Sequence, residues 1–279
     1  MPNIYPAKIL LFGEYAVICQ GEGLAIPEFQ YQMKWAVNND NGVNLSSYLN
    51  YLLQQDIFKN TLDLNSLIID LKNNVSLSSN IPQGYGLGSS GAVVAAVYDK
   101  YARNPIHYNA IMDLRSLRSF LASMENFFHA KSSGLDPLVS LLQQPIYLKS
   151  NGDLAIVKNK IDLGKYYKVD LIDSNISRQT ANIVDQFNQK MKEEIYKNNI
   201  EYVYLNLVSD CIQFCIENNF EKLHESLVRL SEFQLVYFDF AIPESLKQQW
   251  KHGIKSGNEI FKLCGAGGGG FMLRFSLDN

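Results

Sequence analysis

Ile81-Pro82-Gln83-Gly84-Tyr85-Gly86-Leu87-Gly88-Ser89-Ser90-Gly91-Ala92-Val93-Val94-Ala95-Ala96-Val97 is the stretch on which the fold turns. Four glycines crowd into residues 84–91, and an almost unbroken apolar run follows them. Glycine loses more backbone freedom on folding than any other residue, so a dense cluster needs a compensating reason. The usual one is a main chain that must pass very close to something, commonly a phosphate. Ala92, Val93, Ala95, Ala96 and Val97 read as the start of a buried helix. The N–H groups at 86–91 and the first helical turn would present positive dipole to an anion. Ser89 and Ser90 add hydroxyls for phosphate or for a metal ion.

Gly86 to Gly91 also matches G-x-G-x-x-G letter for letter. That fingerprint belongs directly after the first strand of a βαβ unit, with an acidic residue at the end of the next strand. Here Pro82 interrupts the approach and Asp113 lies inside a helical pattern, which counts against a dinucleotide fold. The Walker A loop is absent, as are the H-R-D and D-F-G elements of protein kinases. A plain glycine turn with a serine N-cap is the simpler reading, but one N-cap does not require four glycines.

A second cluster, Lys262-Leu263-Cys264-Gly265-Ala266-Gly267-Gly268-Gly269-Gly270, sits between two apolar stretches. Together the two clusters hold half of the chain's 18 glycines. A hairpin needs one or two. Five would let a backbone pack directly against a ligand, or against the first glycine loop.

The rest of the chain reads as α+β. Tyr5–Phe12 is a buried strand, and Phe29, Tyr31, Met33 and Trp35 alternate as a half-buried strand does. Helical spacing covers 49–59 and 62–73, and 75–79 is a short strand. Residues 109–130 are helical, and a hairpin turns about Asn151-Gly152. Beyond Asp162 come a strand at 166–172 and one long amphipathic helix over 177–197. Helices over 201–218, 220–238 and 243–257 follow, then strands at 260–264 and 271–275. The change of texture divides the chain into domains at 1–160 and 161–279.

With 279 residues, Lys+Arg 25 and Asp+Glu 28, the net charge of −3 offers no basic face for nucleic acid. No apolar run approaches the roughly 20 residues of a membrane span. The N-terminus reaches charge and glycine too early for a secretory signal. Cys19, Cys211, Cys215 and Cys264 show neither metal nor disulfide spacing, so a cytoplasmic protein is expected. Cys211 and Cys215 fall on an apolar helix stripe, and His107, His224 and His252 are scattered without metal spacing.

Three separated segments resemble the motifs of the GHMP small-molecule kinases, and within them the mevalonate kinase group most closely. Pro6-Ala7-Lys8-Ile9-Leu10-Leu11-Phe12-Gly13-Glu14-Tyr15-Ala16-Val17 resembles P-G/A-K-x-x-L-x-G-E-H-A-V. Pro82 to Gly91 resembles P-x-x-x-G-L-G-S-S-A, and Lys262 to Gly270 resembles K-x-T/S-G-A-G-G-G-G. A fourth segment, Glu125-Asn126-Phe127-Phe128-His129-Ala130-Lys131-Ser132-Ser133-Gly134-Leu135-Asp136, resembles E-x-x-x-H-G-x-P-S-G-x-D. Departures are Tyr15 for His, Gly91 for Ala, Ala130 for Gly, Ser132 for Pro and Cys264 for Thr.

The resemblance implies an α+β GHMP kinase fold. Its N-terminal domain would be like ribosomal protein S5 domain 2, and its C-terminal domain ferredoxin-like. It implies ATP and Mg²⁺, with Gly84, Gly86, Leu87, Gly88, Ser89, Ser90 and Gly91 at the nucleotide and Ser90 and Glu125 as metal ligands. Asp136 would be the general base, and Lys8 would favour its ionised form and the developing alkoxide. Tyr15 and Ser132 stand where the family contacts or shapes the acceptor, Glu14 would be an acceptor-site or ribose contact, and Ser133, Gly265, Ala266 and Gly267 would be further substrate contacts. His129 reads as a helix-terminus contact. The motif segments bring only Lys8, Lys131 and Lys262 as cations, which favours a lightly charged small-molecule alcohol such as mevalonate. Another GHMP kinase or a non-catalytic nucleotide-binding protein is the alternative, and a homodimer is left open.

Overall fold

Strand β1 (Ile4–Phe12) buries nearly every side chain, as a continuous apolar segment with a single charge must. It and the other elements are seen in a computed structural model describing residues 3–38, 41–106, 111–129, 131–177 and 180–277. His107 and Ala130 lie outside the described residues. The chain forms two compact units, the first made of Met1–Ile9, Ala25–Gln83 and Leu87–Pro145. The second holds Leu10–Leu24, Gly84–Gly86 and Ile146–Asn279. The division after Pro145 precedes the boundary expected at 160, and it is no single cut. β1 and β2 (Gly23–Val37) each run from one unit into the other.

In the first unit β2 pairs antiparallel with β3 (Val75–Ser79), setting Trp35 opposite Leu77. The two expected helices over 49–73 are three short ones: α1 (Ser46–Leu53), α2 (Asp56–Thr61) and α3 (Leu64–Lys72). Asp63 caps α3 by accepting from Ser66 N at 3.2 Å. Helix α4 (Ser89–Tyr101) is buried on every side from Gly91 to Tyr98, which accounts for its lack of polar residues there. It packs against α5 (Ile111–Glu125) and most closely against α6 (Leu135–Leu142). α4 and α6 meet closely at Gly91, where a Cβ would stand 2.7 Å from the Asp136 carbonyl carbon and Pro137 N.

In the second unit β4 (Ile146–Leu148) and β5 (Leu154–Ile156) form the expected hairpin. A three-stranded antiparallel sheet follows, with β8 (Phe271–Leu277) between β6 (Tyr167–Asp173) and β7 (Glu259–Leu263). Helices α9 (Leu205–Ile216), α10 (Phe220–Tyr237) and α11 (Glu244–Ser256) pack in sequence, with α10 and α11 against β7. Cys211 and Cys215 are core residues of α9.

The long helix expected over 177–197 is broken into α7 (Thr180–Lys190) and α8 (Glu194–Asn199). On one helix at about 100° per residue, Phe187 and Tyr196 would point to opposite faces. The break turns both inward, and their rings lie 6.3 Å apart.

Candidate active site

Helix α4 starts on a glycine, not on a serine. Its N-cap is Gly88 at φ +71°, with no side-chain cap. The first intrahelical bond runs from Ala92 N to Gly88 O at 3.0 Å. The N–H groups of Ser89, Ser90 and Gly91 therefore precede the helical ladder and form the positive end of its dipole. Leu87, one residue upstream, is held to β1 by Lys8 N donating to its carbonyl at 2.9 Å.

That bond also places the Lys8 side chain. Its Nζ lies 2.7 Å from Asp136 Oδ1, and only 11% of the lysine side chain is exposed. Asp136 stands in the first turn of α6. With Oδ1 on the lysine, Oδ2 lies over Gly88, 3.0 Å from where a Cβ would be. A larger residue at 88 would cover the oxygen left for a proton.

Glu125 ends α5 and is 3% exposed. Ser90 Oγ donates to its Oε1 at 2.9 Å, and Ser132 donates to its Oε2. His129 Nε2 meets Ser90 Oγ at 3.0 Å, so His129 contacts a neighbouring helix terminus, that of α4. Burial pushes the Glu125 carboxyl up to about 7, and the negative charge of Asp136 adds to this. The bonds from Ser132 and Ser90 and the Lys8 ammonium pull it back only in part. This is a buried carboxylate short of positive charge beside a hydroxyl oxygen, hard donors of the kind Mg²⁺ takes. Among the described residues no group of three or more His, Cys, Asp or Glu could hold a metal ion. A cation here would draw on this oxygen pair and on its substrate. Ser133 accepts from Arg118 Nε through its carbonyl at 2.7 Å.

Lys8, Leu87, Gly88, Ser89, Ser90, Gly91, Glu125, Ser133 and Asp136 thus belong to the first unit. Glu14, Tyr15, Gly84, Gly86, Gly265, Ala266 and Gly267 belong to the second. There Glu14 is 1% and Tyr15 2% exposed, and their polar atoms turn inward. Lys262, fully buried, donates to Glu14 Oε1 and to Leu263 O, and Tyr204 donates to Glu14 O at 2.5 Å. Burial pushes the Glu14 carboxyl up against the pull of Lys262. Tyr15, at φ +60°, donates to Ala266 O at 2.5 Å and packs against Phe187 and Phe238. Lys262 was visible in the third motif and Glu14 in the first, but their pairing was not.

The tetraglycine turn is crowded by protein. A Cβ on Gly267, Gly269 or Gly270 would stand 2.4–2.7 Å from the carbonyl oxygens of Ala241, Ile176 and Tyr85. Gly268 N donates to Ala241 O and Gly270 N to Ile176 O, both at 2.7 Å. Gly270 packs against Tyr85 of the first glycine loop, as one of the two readings of this cluster expects.

Residues 50–144 match the family model described as GHMP kinases N terminal domain. No curated protein matches the chain. Among solved structures, the Methanococcus jannaschii mevalonate kinase is similar at a TM-score of 0.65 and 19% identity, covering 100% of this chain and 90% of that one. A Streptococcus pneumoniae phosphomevalonate kinase, in complex with phosphomevalonate and AMPPNP, gives 0.67 and 16%, covering 100% and 93%. The Lactococcus lactis galactokinase, complexed with galactose, gives 0.57 and 15%, covering 98% and 84%. The chain has the α+β fold of these solved structures. No helix among the described residues is long and apolar enough to cross a membrane.

Proposed function

We propose that the chain is an ATP-dependent kinase that phosphorylates the hydroxyl of a small alcohol, and that mevalonate, giving 5-phosphomevalonate for isoprenoid synthesis in the cytoplasm, is its acceptor. The observation that carries this reading is the Lys8–Asp136 pair at 2.7 Å beside the start of α4. Asp136 Oδ2 takes the acceptor proton as the hydroxyl oxygen attacks the γ-phosphorus and its bond to the β–γ bridging oxygen breaks, releasing ADP. Lys8 holds Oδ1 and stabilises charge growing on the acceptor oxygen. The N–H groups of Ser89, Ser90 and Gly91 receive phosphate oxygens. Ser90 and Glu125 would hold Mg²⁺, which neutralises charge on the triphosphate when bound. Contact of the acceptor with Ser133, Glu14, Tyr15, Gly265, Ala266 and Gly267 rests on the motif resemblance.

The acceptor is tested by ADP release with mevalonate, phosphomevalonate, homoserine and galactose. Release with mevalonate is expected. Release with phosphomevalonate alone would overturn the substrate and keep the kinase. No release with any acceptor, with ATP still bound, would favour a nucleotide-binding protein without catalysis.

A further inference from the structure

Glu125 accepts one hydroxyl bond on each carboxylate oxygen, from Ser90 on Oε1 and from Ser132 on Oε2. Ser132 is itself locked in the turn between α5 and α6. Its N donates to Asn126 Oδ1 at 2.9 Å, and its Oγ accepts from Gly134 N at 2.9 Å. A serine hydroxyl has a single proton. With Gly134 N–H on its oxygen, that proton is directed at Glu125. The carboxylate is gripped at Oε2 by the turn and cannot swing its Oε1 away from Ser90 without breaking a bond in a buried site. In the motif this segment resembles, the position is proline, which has neither hydroxyl nor N–H. Neither the Glu125 bond nor the Asn126 bond could form there.

We propose that Ser132 is a positioning residue for Glu125, presetting Oε1 beside Ser90 Oγ as a ready pair of oxygen ligands for a divalent cation. The inference rests on reading Ser90 and Glu125 as the cation site of a kinase. Ligand carboxylates are usually oriented by an outer hydrogen bond, whose loss weakens metal binding roughly 10–100-fold. Ser132 fills that place here with a side chain the resembled motif lacks. It also joins the end of α5 to the turn that leads into Asp136, so the cation ligand and the base are fixed by one short segment.

The test is Mn²⁺ titrated into the full chain with AMPPNP, with free Mn²⁺ read by electron paramagnetic resonance. Ser132→Ala is expected to weaken Mn²⁺ binding at least about tenfold, and Ser132→Thr, which keeps the hydroxyl, to restore most of it. Binding of a fluorescent ATP analogue in EDTA should be the same in all variants. If Ser132→Ala lowers the melting temperature but binds Mn²⁺ like the wild type, while Glu125→Gln does not bind it, Ser132 is a turn residue only and the inference fails. If Glu125→Gln also binds Mn²⁺ like the wild type, the cation-site reading itself fails. Should Ser132→Ala not fold, Ser132→Cys, similar in size with a weaker donor, carries the same comparison.

Discussion

Lys8 Nζ and Asp136 Oδ1 meet at 2.7 Å, one from the middle of a buried strand and the other from the first turn of a helix. Neither residue is remarkable in its own segment. A lysine in a strand usually faces solvent, and an aspartate before a proline usually marks a turn. The fold makes them one unit, and it leaves the second carboxylate oxygen over the glycine that precedes α4.

Asp136→Asn keeps the shape and removes the base. Turnover should fall roughly 10²–10⁴-fold, with ATP affinity little changed. Single-turnover rates together with nucleotide titration measure the two separately. Turnover close to wild type would remove Asp136 from the chemistry.

Lys8→Met should lower kcat at least about tenfold, or ~1.4 kcal/mol of barrier. Lys8→Arg should rescue only part, because a planar fork does not fill the place of a compact ammonium. If the pair acts as one device, the double variant Lys8→Met with Asp136→Asn loses far less than the two single losses combined. Additive losses in kcat would show that the residues act independently.

Gly88→Ala places a methyl group 3.0 Å from Asp136 Oδ2, at a backbone φ of +71°. In the proposed kinase this glycine would then have a second duty beside phosphate approach, that of leaving Asp136 Oδ2 uncovered. The variant should lose kcat more than it loses nucleotide affinity. Equal losses in both would indicate that the loop as a whole has been displaced.

Much of this was legible in the chain. The apolar run after Gly91 and the alternation through Met33 and Trp35 are local signals, and each produced the element it suggested. What could not be read depended on partners far away in sequence. Nothing in residues 191–193 breaks a helix, yet the chain turns there because Phe187 and Tyr196 share one aromatic cluster. The tetraglycine turn shows the same limit. Its composition demanded close approach, but only the fold reveals that the approaching groups are the carbonyls of Tyr85, Ile176 and Ala241.

Gly91 departs from the alanine of the resembled motif, and the structure supplies the reason. Replacing glycine with alanine normally favours a helix, by about 1 kcal/mol in its interior and by less in the first turn, where Gly91 stands. Here the added methyl would lie 2.7 Å from the backbone of Asp136 and Pro137, which cannot move as a side-chain tip can. Overpacking of this kind costs about 1–3 kcal/mol. Gly91→Ala should therefore lower the melting temperature. A higher melting temperature would mean that α6 can shift away from α4 at little cost.

The Glu14–Lys262 pair has no exposed surface on either side chain. Burial pushes the Glu14 carboxyl up, and the Lys262 ammonium opposes this without cancelling it. Removing one partner of a buried pair costs about 3–5 kcal/mol, because the other charge is left without compensation. In Lys262→Met the folded chain would avoid that charge by keeping the Glu14 proton to a higher pH than the unfolded chain does. A carboxyl raised in the folded state gives its stabilisation in full below its unfolded value, and loses it as pH rises through the folded one. Lys262→Met should then be least impaired at about pH 5 and increasingly impaired toward about pH 8. Glu14→Gln combined with Lys262→Met has no proton to bind at this place. It should recover most of the loss and flatten the pH dependence. Urea unfolding at both pH values measures each effect. A loss in Lys262→Met that is the same at both would show that the lysine stem, and not its charge, is what the second unit needs.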